Sequence, residues 1–334
     1  MKNLSLLTVL FLMIFQLSFA QNKSNDYKVI KMIPVEGTGG WDYLTVDQPT
    51  QRLFISHGSC VDVLDLKTEK TIGQIPNTTG VHGIACVTSL NKGFITAGRL
   101  DSVIVFDLTT LKVLDKAITG KNPDAILYDP FSNRIFTFNG RGHSVTAIDA
   151  KTNKVVGTLE VSGKPEAAVT NGKGEIYCNI EDKSTVVKFD AVTLKLEAEW
   201  PLNPGKEPSG LAIDLKNNRL FSACGESKQI VVMDAGNGKI VATLPMGEGC
   251  DGIIFNAEKC DAISSNGEGT LTVVHQDGPD AYKVVQTVTT RKSARTITYD
   301  ESTKKIYLSS ADVTMENGKR SIAPGSFKIV VVSK

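Results

Sequence analysis

The sequence predicts an all-β fold of seven four-stranded blades, and three observations predict it. A β-branched run closing on an acidic residue recurs about every 42 residues, as in Val61 to Asp65, Ser102 to Asp107, Val145 to Asp149, Val186 to Asp190 and Ile230 to Asp234. Degenerate copies follow at Leu271 to His275 and Phe327 to Val331, so the steps are 42, 42, 41, 44, 41 and 56. Next, apolar residues alternate with a period of two and never with a helical one. Finally, the strand signals count to seven fourth strands and seven sets of the first three. Repeats of about 40–45 residues made of four short strands are the signature of a β-propeller.

The elements follow in chain order. Residues 1–20 read as a cleavable leader: Lys2 is the only charge, Leu4 to Leu17 is apolar, and Ser18-Phe19-Ala20 offers small residues for cleavage before Gln21. The expected location is therefore periplasmic or secreted. Residues 21–334 form one domain. Lys28 to Val35 reads as a fourth strand with no blade before it, and the chain ends on a third strand at Val332. The two should pair, closing the seventh blade and covering both exposed edges. Blade three shows the grammar of the rest. Pro123 to Tyr128 alternates as an inner strand, Asp129-Pro130-Phe131-Ser132-Asn133 turns, and Arg134 to Asn139 returns. Gly140-Arg141-Gly142-His143 turns again into Ser144 to Asp149, and a fourth strand runs from Lys154 to Val161. Blade seven departs from this grammar, with a long loop, Ala311 to Gly325, where its siblings have two to five residues.

Val145 to Val156, followed by Gly163-Lys164-Pro165, resembles the YVTN-type β-propeller repeat, and Leu53 to His57 and Ile306 to Ser310 resemble its second-strand motif. The resemblance spans the mature chain and implies an exported seven-bladed propeller. It implies little about activity, since such relatives include presumed binding proteins and propeller lactonases or lyases, and a fold does not fix a function.

Composition narrows the classes. The chain carries 37 Lys+Arg against 36 Asp+Glu, and loss of Lys2 with the leader makes it neutral. Neutrality argues against bulk nucleic-acid binding. No segment after the leader has the run of about 18 apolar residues that a spanning helix needs. The six cysteines show no C-x-x-C spacing, and buried thiols or a Cys224–Cys250 bridge between adjacent blades are the alternatives. Nucleophile-elbow, Walker-type, H-E-x-x-H and EF-hand strings are all absent. A monomer is expected.

Strand alternation selects one face for chemistry. The inner strands start with Asp42, His82, Asp124, Glu166, Ser209, Asp251 and Arg295, all polar and mostly anionic, converging on one channel mouth. The loops between second and third strands add His57, Arg99, Asn139, Arg141, His143, Glu181, Glu226, Asn266, Glu268 and Asp312 to that face. Asp42, His82, Asp124, Glu166 and Asp251 are the candidate ligands for a divalent metal, Ca²⁺, Mn²⁺, Mg²⁺ or Zn²⁺. Trp41, Asn139, Arg141 and Asn266 are the candidate contacts for a small molecule or protein. His82, His57, His143 and Arg295 are the catalytic candidates if the mouth belongs to a metal-dependent hydrolase or lyase. A plain solvent-filled polar mouth and a scaffold that binds protein on its blade sides remain open alternatives. His275, standing where other blades carry Asp, is expected to form a structural hydrogen bond.

Overall fold

A computed structural model describes residues 26–37, 39–316 and 319–334. The leader read in residues 1–20 lies outside the described residues. Those described form seven four-stranded antiparallel sheets and one two-stranded hairpin. Blade one is Trp41–Asp47, Arg52–His57, Cys60–Asp65 and Lys70–Ile75, and the next five blades repeat this order from the axis outward. First strands of adjacent blades pack against one another around the whole ring, blade seven against blade one included. The architecture is a seven-bladed β-propeller.

Blade seven takes its outer strand from the other end of the chain. Its order runs Arg295–Asp300, Lys305–Ser310, Lys328–Ser333 and then Lys28–Pro34. The N-terminal strand pairs antiparallel with the C-terminal one, from Lys28 opposite Ser333 to Pro34 opposite Lys328.

The period-two alternation becomes seven cores, one between each pair of blades. In blade one, Leu53 and Ile55 pack with Phe327, Ile329 and Val331 of blade seven, while Phe54 between them packs with Ile95, Ile104 and Phe106 of blade two. Successive side chains of a strand point to opposite faces, so each second strand supplies two interfaces. Side-chain hydrogen bonds stitch neighbouring blades near the axis. Thr45 donates to the Ile84 carbonyl at 2.8 Å, Asn179 Nδ2 to the Gly210 carbonyl at 3.0 Å, and Thr296 to the Asp42 carbonyl at 2.8 Å.

The acidic residue that closes the third strand in blades one to five is a turn cap. Asp149 Oδ1 accepts from the N–H of Thr152 at 2.7 Å and from its hydroxyl at 2.8 Å, and Asp65, Asp107 and Asp190 accept in the same way. His275 instead bonds Asp261 through Nδ1 at 2.8 Å, matching the expected structural role.

Two sequence expectations need correction, and one pair of alternatives is decided. The blade-seven insertion contains a hairpin, Val313–Glu316 paired with Lys319–Ile322, where a loop was expected. Val313, Thr314 and Ile322 are β-branched and supply strand propensity that a length argument ignores. In blade six, the outer hairpin reaches further than the repeat suggests, Thr270–Gly278 with Ala281–Thr289. The Cys224–Cys250 alternative does not form: all six cysteines are free thiols, and burial of Cys178, Cys224 and Cys250 makes them small core residues.

Candidate functional site

A β-bulge opens every inner strand. Register against the second strand shifts between Trp41 and Leu44, Val81 and Ile84, Pro123 and Ile126, and at the matching place in the other four blades. A bulge re-aims side chains locally, and six residues of the ring read from the sequence lie within these bulges: Asp42, His82, Asp124, Glu166, Ser209 and Asp251, while the seventh, Arg295, pairs with Ser309 at the edge of its shift. Close approach at the axis depends on small residues just inside the ring. A Cβ on Gly210 would sit 3.0 Å from the backbone of Gly252 in the next blade.

The ring divides into three groups. His82 Nδ1 lies 2.6 Å from Asp42 Oδ2 and 3.5 Å from Asp124 Oδ1. One donor atom from each of these three residues lies within 4.8 Å of the other two. Glu166 faces Lys164, whose Nζ is 3.2 Å from Oε2, and Lys164 also pairs with Glu181. Glu166 is buried, and among the described residues Oε2 has no partner beyond that Lys164 ion pair. Asp251 pairs with Arg295. Ser209 is occupied internally, donating to the Cys250 carbonyl at 2.8 Å.

Crowded carboxylates withdrawn from water hold their protons more tightly. Burial, reinforced by Asp42 and opposed by His82, pushes the Asp124 carboxyl up to about 7. Burial pushes Asp251 up to about 6 against the pull of Arg295. Glu166 lies well above the usual carboxyl range through burial and the charge of Asp124. Burial disfavours the imidazolium of His82, but its hydrogen bond to Asp42 and the nearby charge of Asp124 outweigh that and raise its pKa.

Two participants were not picked out from the sequence. Tyr43 follows Asp42, where sibling blades carry Gly, Ala or Thr, and its ring helps to line an axial cavity of about 180 Å³ with Ala125, Ala167, Gly210, Gly252 and Ile297. Burial and then the charges of Glu166, Asp124, Asp42 and Asp251 raise its phenol well above 10, so it stands beneath the ring as a neutral hydroxyl. Its signal was the only aromatic in that repeat column. Lys164 sits in the Gly-Lys-Pro motif, which reads as a strand start until its charge is placed against Glu166 and Glu181.

Other candidates lie apart from the ring. His57 is 2% exposed, bonds Asp62 Oδ2 through Nδ1 at 2.8 Å, and stacks on Phe327 with ring centroids 4.3 Å apart. His143 is exposed at a turn with φ of 47°, outside the cluster. Trp41 packs its ring 5.9 Å from Phe327, between blades one and seven. Asn139 and Asn266 are buried pins of their hairpins. Asn139 Nδ2 donates to Ser144 and Thr146, and Asn266 Nδ2 to Thr270 and Thr272. Arg141 is exposed, at the turn between the second and third strands of blade three. Glu226 pairs with Lys206, Glu268 accepts from Thr270, and Asp312 pairs with Arg291. No helix among the described residues is long and apolar enough to cross a membrane.

No family model matches the chain. Over 169 residues it is 26% identical to the uncharacterized protein YncE of Salmonella typhi, a match covering 48% of each chain. The protein of the same name from Salmonella typhimurium is 25% identical over 169 residues, again 48% of each. The chain thus spans about half the length of the curated relatives it matches. The similarity to YncE is distant, and that name states no activity.

Proposed function

We propose that this propeller binds a divalent cation at the mouth of its channel, with Asp42, His82 and Asp124 as ligands. The observation that carries the reading is the convergence of two carboxylates and an imidazole, each from a different blade, within 4.8 Å of one another. Mixed oxygen and nitrogen donors suit Mn²⁺ or Zn²⁺ better than Ca²⁺, which prefers an all-oxygen shell. The charge arrangement supports the reading too. Lys164 and Arg295 already compensate Glu166 and Asp251, whereas only His82 stands between Asp42 and Asp124. A cation there would displace the Asp124 proton and the His82 Nδ1 proton shared with Asp42, and would favour both carboxylates.

Such an ion would also serve a hydrolase or lyase, where it would polarise a ligand or water held at the mouth. Turnover of a lactone panel by the cation-loaded protein separates that reading from simple binding.

A millimolar screen of Mn²⁺, Zn²⁺, Mg²⁺ and Ca²⁺ by thermal unfolding tests the proposal. At least one ion should raise the melting temperature of the wild type, as binding to the native state alone requires. The double change Asp124→Asn, Glu166→Gln should abolish the rise. A carboxyl whose pKa is raised on folding loses stability as it ionises with rising pH, here from the ordinary 3.8 toward about 7 for Asp124. The metal-free double variant should therefore be as stable as the wild type at neutral pH, or more so. No shift with any of the four ions sinks the proposal.

A further inference from the structure

The mouth continues outward between blades two and three as a groove of about 660 Å³, lined by Gly80, His82, Gly98, Arg99, Lys121, Asn122 and Arg141 together with Asp101. Its charges are unevenly matched. Lys121 Nζ is 2.6 Å from Asp101 Oδ2, and the other oxygen of Asp101 accepts the Asn122 N–H at 2.9 Å, so that pair is internally balanced. Arg99 and Arg141 are both exposed, and among the described residues no hydrogen bond or ion pair joins either guanidinium to a carboxylate, although the charge of Arg141 helps to lower the Asp101 carboxyl. Lys164, Lys206, Lys228, Arg291 and Arg295 on the same side each have an acidic partner.

The walls hold the groove open. A Cβ on Gly98 would fall 2.9 Å from the His82 ring and 3.2 Å from Asn122 Oδ1. Gly80, at φ +70°, lies so close to the next loop that its Cβ would be 2.9 Å from the Arg99 nitrogen. Arg99, His82 and Gly80 also line the adjoining cavity that contains Asp42 and Arg295, so the groove is continuous with the ring. The cleft thus presents two unpaired planar forks and a side-chain amide, the donor set that suits a doubly charged oxyanion.

We propose that this groove is a binding site for a small dianionic ligand, a phosphate or a dicarboxylate, held by Arg99 and Arg141. The site does not depend on a cation at the Asp42–His82–Asp124 group. Because His82 forms a wall of both, one ligand lying in the groove would reach the ring.

Calorimetric titration of inorganic phosphate, and separately of malonate, into the chelator-treated full chain at low ionic strength tests this. At least one of the two should bind saturably, weaken as salt is added, and lose about tenfold or more in affinity in Arg99→Gln/Arg141→Gln, given the strength of charge-assisted forks. Lys173→Gln, an exposed residue on the opposite face, should bind as the wild type does. Whichever anion binds more tightly names the ligand class. Both arginines are exposed and unpaired, so the variants should fold, and Arg141→Gln alone gives a second reading. Absence of saturable binding by either anion, equal binding in the double variant, or binding only after a divalent ion is added would each overturn the proposal. A failed cation screen would leave it standing.

Discussion

Thr152 and its counterparts show why the recurring aspartate is the clearest mark in this sequence. An ionised carboxylate at the end of a third strand takes the backbone N–H and hydroxyl of the residue three places on, and so fixes the turn into the fourth strand. These bonds hold the carboxyls of Asp65, Asp107, Asp149 and Asp190 below their ordinary 3.8. A carboxyl depressed on folding contributes stability above its unfolded pKa and loses it as pH falls through the folded value. Asp149→Ala should therefore lower the melting temperature by a few degrees at pH 7, and the deficit should shrink as pH is lowered toward 3. A deficit of equal size at both pH values would show that the carboxylate charge is not what holds the turn. The ring was legible at this scale because the repeat aligns Asp42, His82, Asp124, Glu166 and Asp251 in one column. Their pairings were not legible, because Asp42 and His82 lie 40 positions apart and meet only through adjacent blades. For the same reason His57 and His82 looked alike in sequence. The fold buries one against Phe327 and turns the other into the mouth.

At the scale of elements, strand identity was legible from alternation, and the pairing of the two chain ends followed from counting. We infer that this pairing stabilises blade seven. Tyr27, Ile33 and Val35 are all buried, the Tyr27 hydroxyl is 3.0 Å from Asp261 Oδ2, and Ile33 shares a core with Phe327 and Ile329. At ~1.5–3 kcal/mol for each buried large side chain, a chain beginning at Gly37 should be less stable by at least about 5 kcal/mol. Denaturant unfolding checks this, and an unchanged midpoint and slope would mean that blade seven stands without its outer strand. The bulges that form the ring left no trace in the alternation, since each displaces register only at the strand start. The hairpin within residues 311–325 was hidden for another reason. It has no sibling in the repeat, so position in the repeat said nothing about it.

For the whole molecule, circular repetition turns one strand position into a converging set of side chains. Seven blades bring the starts of seven strands together, and small residues such as Gly210 and Gly252 let them approach at the axis. The cost is like charge gathered out of water, visible in the raised carboxyls of Asp124, Glu166 and Asp251. Lys164 and Arg295 offset it beside Glu166 and Asp251, and the Asp42–His82–Asp124 side is where we propose the cation. The most direct test is anomalous diffraction from crystals of the full chain soaked in Mn²⁺, and in parallel Zn²⁺, with data taken on both sides of each absorption edge. The account expects one anomalous peak bonded to Asp42, His82 and Asp124, absent from crystals of Asp124→Asn. Peaks only at surface carboxylates, or a mouth without anomalous density at saturating ion, would contradict it.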